Sequence, residues 1–221
     1  QDISRWNTAS AGSFSTMFRD AVNFNQDIGG WDTSKVTTML QMFRSAKKFN
    51  QDISGWDTSS VTVFKSMFHG AIDFNNGGSS NINNWNVSKA TKMRTMFQGA
   101  TSFNQTISSW SFKSSTNRGL LRGFLRSASS YNQDLTCLDV SHFPTTTKPL
   151  NFNAGSSLVS SKLPQWGASV PSSCTTAPTL SSSVPADNAT SISSTANIFL
   201  TFSENVDVES GNITIKKTSD D

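Results

Sequence analysis

A unit of about 25 residues recurs five times in this chain, and it constrains the fold more than any other feature. Tryptophan marks the register at Trp6, Trp31, Trp56, Trp85 and Trp110, with spacings of 25, 25, 29 and 25 residues. The unit reads Trp-Asp-Thr-Ser-x-Val-Thr-x-Met-x-x-Met-Phe-x-x-Ala-x-x-Phe-Asn-Gln-Asp-Ile-Ser-x. Its Met-Phe pair returns at Met17-Phe18, Met42-Phe43, Met67-Phe68 and Met96-Phe97, and its closing triplet runs from Phe24-Asn25-Gln26 to Tyr131-Asn132-Gln133. One such unit cannot bury its own apolar face. Self-similarity at this period therefore predicts a stacked array in which each unit covers the next.

Two periodicities inside the unit predict its local structure. Ile28-x-x-Trp31-x-Thr33, Ile53-x-x-Trp56-x-Thr58 and Ile82-x-x-Trp85-x-Val87 follow the L-x-x-L-x-L spacing of a leucine-rich repeat. On a short strand this turns Trp and Thr or Val inward and sets Asp32, Asp57 and Asn86 outward in one column, the candidate binding face. Downstream, Met39, Met42, Phe43, Ala46 and Phe49 fall at helical spacing, as do Met93, Met96, Phe97, Ala100 and Phe103. The expected fold is an α/β repeat solenoid, leucine-rich-repeat-like, with one short parallel strand and one short helix per coil. Neighbouring strands would lie about 4.8 Å apart. The methionines and phenylalanines read as core filling rather than as ligands for a soft metal. Asn25, Asn50, Asn75, Asn104 and Asn132 read as a ladder of amides that satisfies backbone groups where the coils turn.

The pattern decays after Trp110. Phe124-Leu125 replaces Met-Phe, and Leu138-Asp139-Val140-Ser141 stands where Trp-Asp-Thr-Ser is expected. Residues 1–142 are assigned to the solenoid and 143–174 to a C-terminal cap. Cys137 and Cys174 bracket that cap and are expected to form a disulfide, with two reduced thiols as the alternative. Residues 175–221 change to Thr, Ser and Pro with alternating apolar positions (Ile198, Leu200, Phe202, then Ile213, Ile215) and are expected to form a truncated Ig-like β-domain, a partial β-sandwich.

The chain carries no recognisable catalytic constellation. Its two histidines, His69 and His142, lack partner patterns, and no H-E-x-x-H, G-x-S-x-G, P-loop or C-x-x-C occurs. Asp32 and Asp57 would be neighbours on the outward face, but the column continues as Asn86 and Ser111, so an acid–base enzyme is not expected. No cofactor and no metal are expected. A net charge of +3 is too small to indicate nucleic acid, and the local basic run of Lys113, Arg118, Arg122 and Arg126 reads as a solvated face. The row Thr37, Thr62, Thr91 is too irregular for an ice or mineral lattice. Of the four N-x-S/T triplets, at Asn86, Asn104, Asn188 and Asn212, that at Asn104 falls within the amide ladder. No apolar run is long enough to span a membrane. With only 15% charged residues and abundant Ser, Thr and Asn, the composition suits a secreted or cell-surface protein. The chain opens on Gln1-Asp2-Ile3-Ser4-x-Trp6, the tail of a unit, and is expected to be a fragment with room for a signal peptide or anchor outside it.

The composite of Trp31-Asp32-Thr33-Ser34-x-Val36-Thr37, Met39-x-x-Met42-Phe43-x-x-Ala46 and Phe49-Asn50-Gln51-Asp52-Ile53-Ser54 resembles BspA-like leucine-rich-repeat surface proteins. That resemblance implies an extracellular solenoid engaged in adhesion or in binding a surface protein or glycan. The tail is similar to the start of an S-layer-type Ig-like domain, through Ala177-Pro178-Thr179, Val184-Pro185-Ala186-Asp187 and Ile198-Phe199-Leu200-Thr201-Phe202-Ser203-Glu204. Neither resemblance brings a catalytic site. The expected function is non-enzymatic binding at the cell surface, with a structural stalk or surface-layer spacer as the alternative.

Overall fold

The computed structural model describes residues 2–112, 118–143, 148–174, 180–184 and 199–202. The chain divides into two units, residues 1–174 and 175–221. In the first, each repeat forms one coil stacked on the next, but the expected α/β solenoid with a helix and a strand in every coil is not found. Among the described residues of this unit the regular elements are 3-10 turns of three to five residues, such as Ser80–Asn84, Arg118–Leu121 and Ser160–Lys162. Sheet-like pairing is limited to isolated parallel bridges, which run Ser13 to Thr38 to Val63 to Lys92, and Ser111 to Asp139.

The hydrogen bonds of the segment expected to be helical explain the difference. The N–H groups of Met39, Gln41, Phe43 and Ser45 donate to the carbonyls of Val63, Lys65, Met67 and His69 in the following coil, at 2.7–3.0 Å. The intervening N–H groups of Met42, Arg44 and Ala46 donate three residues back, to Met39, Gln41 and Phe43. The segment is thus a chain of overlapping β-turns rather than a run of i to i−4 bonds. Left-handed residues at every fourth position aim alternate amides along the stack: Gln41 (φ 54°) and Ser45 (φ 58°), then Ser66 (φ 56°) and Gly70 (φ 70°), then Thr95 (φ 57°) and Gly99 (φ 71°). A side chain in that region costs about 1–2 kcal/mol, so the conformation persists only because the neighbouring coil holds it. Overlapping turns still gather positions three and four apart on one side. Met39, Met42, Phe43, Ala46 and Phe49 are all fully buried, as the spacing predicted.

Around each tryptophan the backbone donors are used locally. Trp31 N–H bonds to the Ile28 carbonyl and Val36 N–H to that of Thr33, while Ser34 N–H goes to the Asp32 carboxylate, so no ladder forms there. Side chains tie the coils together instead. The indole Nε1–H of Trp31, Trp56, Trp85 and Trp110 donates to the carbonyl of Ile3, Ile28, Ile53 and Ile82 in the preceding coil, at 3.0–3.2 Å. Thr33 and Thr58 hydroxyls donate to the Asp57 and Asn86 carbonyls of the following coil. The inward placement of Trp and Thr or Val therefore holds without a strand.

Every other column repeats with the same economy. Thr37, Thr62 and Thr91 each donate both N–H and hydroxyl to one carbonyl, of Gly12, Thr37 and Thr62. The amide Oδ1 of Asn25, Asn50, Asn75 and Asn104 accepts the N–H of Asn50, Asn75, Asn104 and Asn132 at 2.8–2.9 Å, and Gln51, Gln105 and Gln133 add donors to the asparagine carbonyls. The expected ladder is present, partly exposed rather than buried. Aromatic rings stack within a coil, as in Phe43 on Phe49 at 3.9 Å, and between coils, as in Phe49 with Phe74 at 5.9 Å and Trp85 with Trp110 at 6.3 Å.

The segment read as a cap begins with a further coil. Gly123, Leu125 and Ser127 donate to the carbonyls of Leu150, Phe152 and Ala154, left-handed residues recur at Asn151 (φ 55°) and Gly155 (φ 75°), and Phe152 stacks on Phe124 at 5.9 Å. Trp166 then closes the end, edge-on to Phe152 (5.0 Å) and Phe143 (5.9 Å). Cys137 and Cys174 are joined by a disulfide with Cα atoms 5.4 Å apart, closing 37 residues of chain. A loop of that length gives about 3–4 kcal/mol when the bond is unstrained. In the second unit, β1 (Leu180–Val184) pairs antiparallel with β2 (Phe199–Phe202), in register Val184 to Phe199 and Ser182 to Thr201 with an irregularity between Leu180 and Ser182. Ile198, Ile213 and Ile215, part of the expected sandwich, lie outside the described residues.

Two expectations follow. Thiol labelling of unreduced protein should modify neither Cys137 nor Cys174, and quantitative labelling of both would refute the bond. Tyr131 occupies a position held by phenylalanine in the earlier coils, 5.6 Å from Phe103, yet its buried hydroxyl has no hydrogen-bond partner, and burial raises its pKa far above the phenolic range. A buried hydroxyl without a partner is destabilising, so Tyr131→Phe should raise unfolding free energy by about 1–2 kcal/mol in urea titration. A loss of stability would mean that the hydroxyl is satisfied.

Candidate functional site

The outward column is where the spacing put it: Asp32, Asp57 and Asn86 are exposed, one per coil, between buried Trp and Thr or Val. Each side chain also closes a turn. Asp32 Oδ1 accepts the Ser34 N–H (3.0 Å) and hydroxyl (2.6 Å), Asp57 Oδ1 accepts the Ser59 N–H (2.9 Å), and Asn86 Oδ1 accepts the Ser88 N–H (3.1 Å) and hydroxyl (2.7 Å). Asp139 repeats the arrangement with Ser141. These are Asx turns, which explains why Asp or Asn stands two residues before Ser in the repeat.

The electrostatics follow from these bonds. The Ser34 hydroxyl, then its N–H, lowers the pKa of Asp32 below its usual 3.8. Ser59 does the same for Asp57, where the Asp32 charge opposes the shift and Lys89 assists it. The Asp32 charge thus acts on Asp57 across adjacent coils. Both are ionised at neutral pH and offer acceptors and negative charge, not a proton.

The other sequence candidates lie apart from this column. His69 is half-buried on the turn-chain side, and burial, followed by Arg44, lowers its pKa. His142 Nδ1 is 3.1 Å from the Ser141 hydroxyl. Arg122 and Arg126 are exposed on the outer side of their coil, while Lys113 and the Arg118 side chain lie outside the described residues, as do Asn188 and Asn212. Asn104 is committed to the amide ladder. Among the described residues no cluster of three or more His, Cys, Asp or Glu could hold a metal ion, and no helix is long and apolar enough to cross a membrane.

One concave feature went unread in the sequence, a cleft of about 680 Å³ at the C-terminal end of the stack, against Trp166. Its signal was available, because Leu163-x-x-Trp166 repeats the Ile-x-x-Trp spacing after a gap left by Leu138.

The lowered carboxylate pKa values set a pH dependence. A group whose folded pKa lies below its unfolded value contributes stability above the unfolded pKa and loses it as pH falls through the folded one. The thermal midpoint should therefore fall as pH drops below about 4, and less steeply in an Asp32→Ser, Asp57→Ser variant. Parallel acid profiles for the two proteins would contradict the carboxylates' role in the turns.

Residues 1–80 and again 79–166 match the model of a family described as Mycoplasma protein of unknown function, DUF285, and residues 174–221 match that of a bacterial Ig-like domain. No curated protein and no solved structure matches the chain.

Proposed function

The chain belongs to the DUF285 family, and from that premise we propose that it is a surface module that binds a protein or glycan ligand through the outward column of its coils. The pairing of this family with a bacterial Ig-like domain is that of a surface-associated bacterial protein. An extracellular setting is supported by the Cys137–Cys174 bond, since disulfides persist in oxidising compartments, and by the resemblance of the unit to BspA-like surface proteins.

The observation that carries the reading is the column itself. Asp32, Asp57 and Asn86 recur once per coil with their side chains fixed by turns, so they form a preorganised polar row on a stack whose backbone is already satisfied. Extended faces of repeat stacks recognise partners at low ordering cost in this way. The Asx turns also favour a second reading, a spacer in which the same side chains only shape the coil.

Glycan and protein arrays separate the two. Asp32→Ser with Asp57→Ser removes two charges while keeping a side-chain oxygen for the turn, as Ser79 provides for Asn81. The wild type should bind a defined ligand and the double variant should lose at least tenfold in affinity. Binding unchanged by the double substitution would move the site elsewhere, and absence of any ligand would favour the spacer.

A further inference from the structure

We propose that the cleft at the C-terminal end of the stack is an oligosaccharide-binding site, with Trp166, Pro164 and Pro171 as its apolar wall and Thr136, Gln165 and Lys148 as its polar rim. The proposal rests on the binding reading above, and adds a ligand class and a place distinct from the outward column. Its volume of about 680 Å³ falls within the roughly 300–1,000 Å³ of small-ligand sites.

The lining suits a sugar. A pyranose ring presents an apolar C–H face and a rim of hydroxyls that both donate and accept. Pro171, half-buried, and the largely buried Pro164 and Trp166 make up the apolar part of the lining for the first, and a hydroxyl, a carboxamide and an ammonium supply both kinds of polar partner for the second. Among the described residues no carboxylate lines the cleft. Gln165 is exposed. Lys148 Nζ is held by Asn153 Oδ1 at 2.8 Å, and the Thr136 hydroxyl donates to Asp134 at 2.7 Å, which leaves its lone pairs for a ligand.

The cleft is also preformed. Thr136 precedes Cys137, and Cys174 N–H bonds to the Pro171 carbonyl at 2.9 Å, so the Cys137–Cys174 bond ties these two stretches of the lining together. Rigid walls reduce the ordering cost of binding. Trp166 adds a second observation. In four earlier coils the indole N–H donates to an isoleucine carbonyl, whereas that of Trp166 is buried with no partner. Buried indole N–H groups are normally bonded, so the Trp166 ring beside the cleft lacks the carbonyl bond that fixes the four earlier indoles.

The test is an array of neutral and uronic oligosaccharides probed with the full chain as wild type, Gln165→Ala, Trp166→Phe and the Asp32→Ser, Asp57→Ser variant. The wild type should bind, both cleft variants should lose at least tenfold, and the double serine variant should retain binding. Because Gln165 is exposed, Gln165→Ala should leave the thermal midpoint unchanged and keeps the test sound if Trp166→Phe fails to fold. In a nitrogen-15 titration, the bound saccharide should shift the indole cross-peak that Trp166→Phe lacks, which a purely structural tryptophan would not show. Saccharide binding that persists in both cleft variants, or that is lost only with Asp32 and Asp57, overturns the cleft and leaves the outward column standing. Protein binding with no saccharide bound does the same, and silence on both arrays overturns both.

Discussion

The structure depends on one arrangement of hydrogen bonds, in which alternate amides of each turn chain pair with the next coil and the rest close turns within their own. Met39, Gln41, Phe43 and Ser45 reach forward while Met42, Arg44 and Ala46 reach back. Every donor of the segment is satisfied with no helix or strand, which answers the requirement that buried backbone be paired. The cost is a left-handed residue at every fourth position, borne by Gln41, Ser45, Ser66 and Thr95 where glycine is absent. A single coil could not hold those angles. Cooperativity between neighbours is therefore built into the backbone as well as the core.

The side-chain ladders extend that logic and account for which residues repeat. Tryptophan supplies bulk to the core and a donor to the preceding coil, asparagine an acceptor at the turn, and threonine a second bond to a carbonyl already in use. The outward aspartates belong to the same set because they close turns with the serines that follow. A binding surface made of such residues comes ready positioned, since the fold needs them in place before any ligand arrives. At the C-terminal end the ladder stops. There Trp166 turns edge-on, its N–H loses its carbonyl, and a cleft opens beside the disulfide.

Much of this was legible in the sequence. The stacking, the buried Met-Phe face, the inward Trp and outward Asp column, the amide ladder and the cysteine pair all follow from residue type and register. The secondary structure did not follow. Spacing of i, i+3, i+4 reports which side chains share a side, and overlapping turns share that property with a helix. The distinguishing signal was glycine. Gly70, Gly99 and Gly155 occupy the position of Ser45, and Gly123 that of Gln41, where a helix would be weakened by about 1 kcal/mol each. The further coil at residues 150–155 was obscured because Leu138 replaces the tryptophan that marks the register.

Couplings across hydrogen bonds, read by NMR between an amide nitrogen and its acceptor's carbonyl carbon, test the central claim most directly. The account predicts a coupling from Gln41 nitrogen to Lys65 carbonyl and from Phe43 nitrogen to Met67 carbonyl, each 24 residues ahead. Couplings from these amides to carbonyls four residues back would contradict it and restore a helix to every coil.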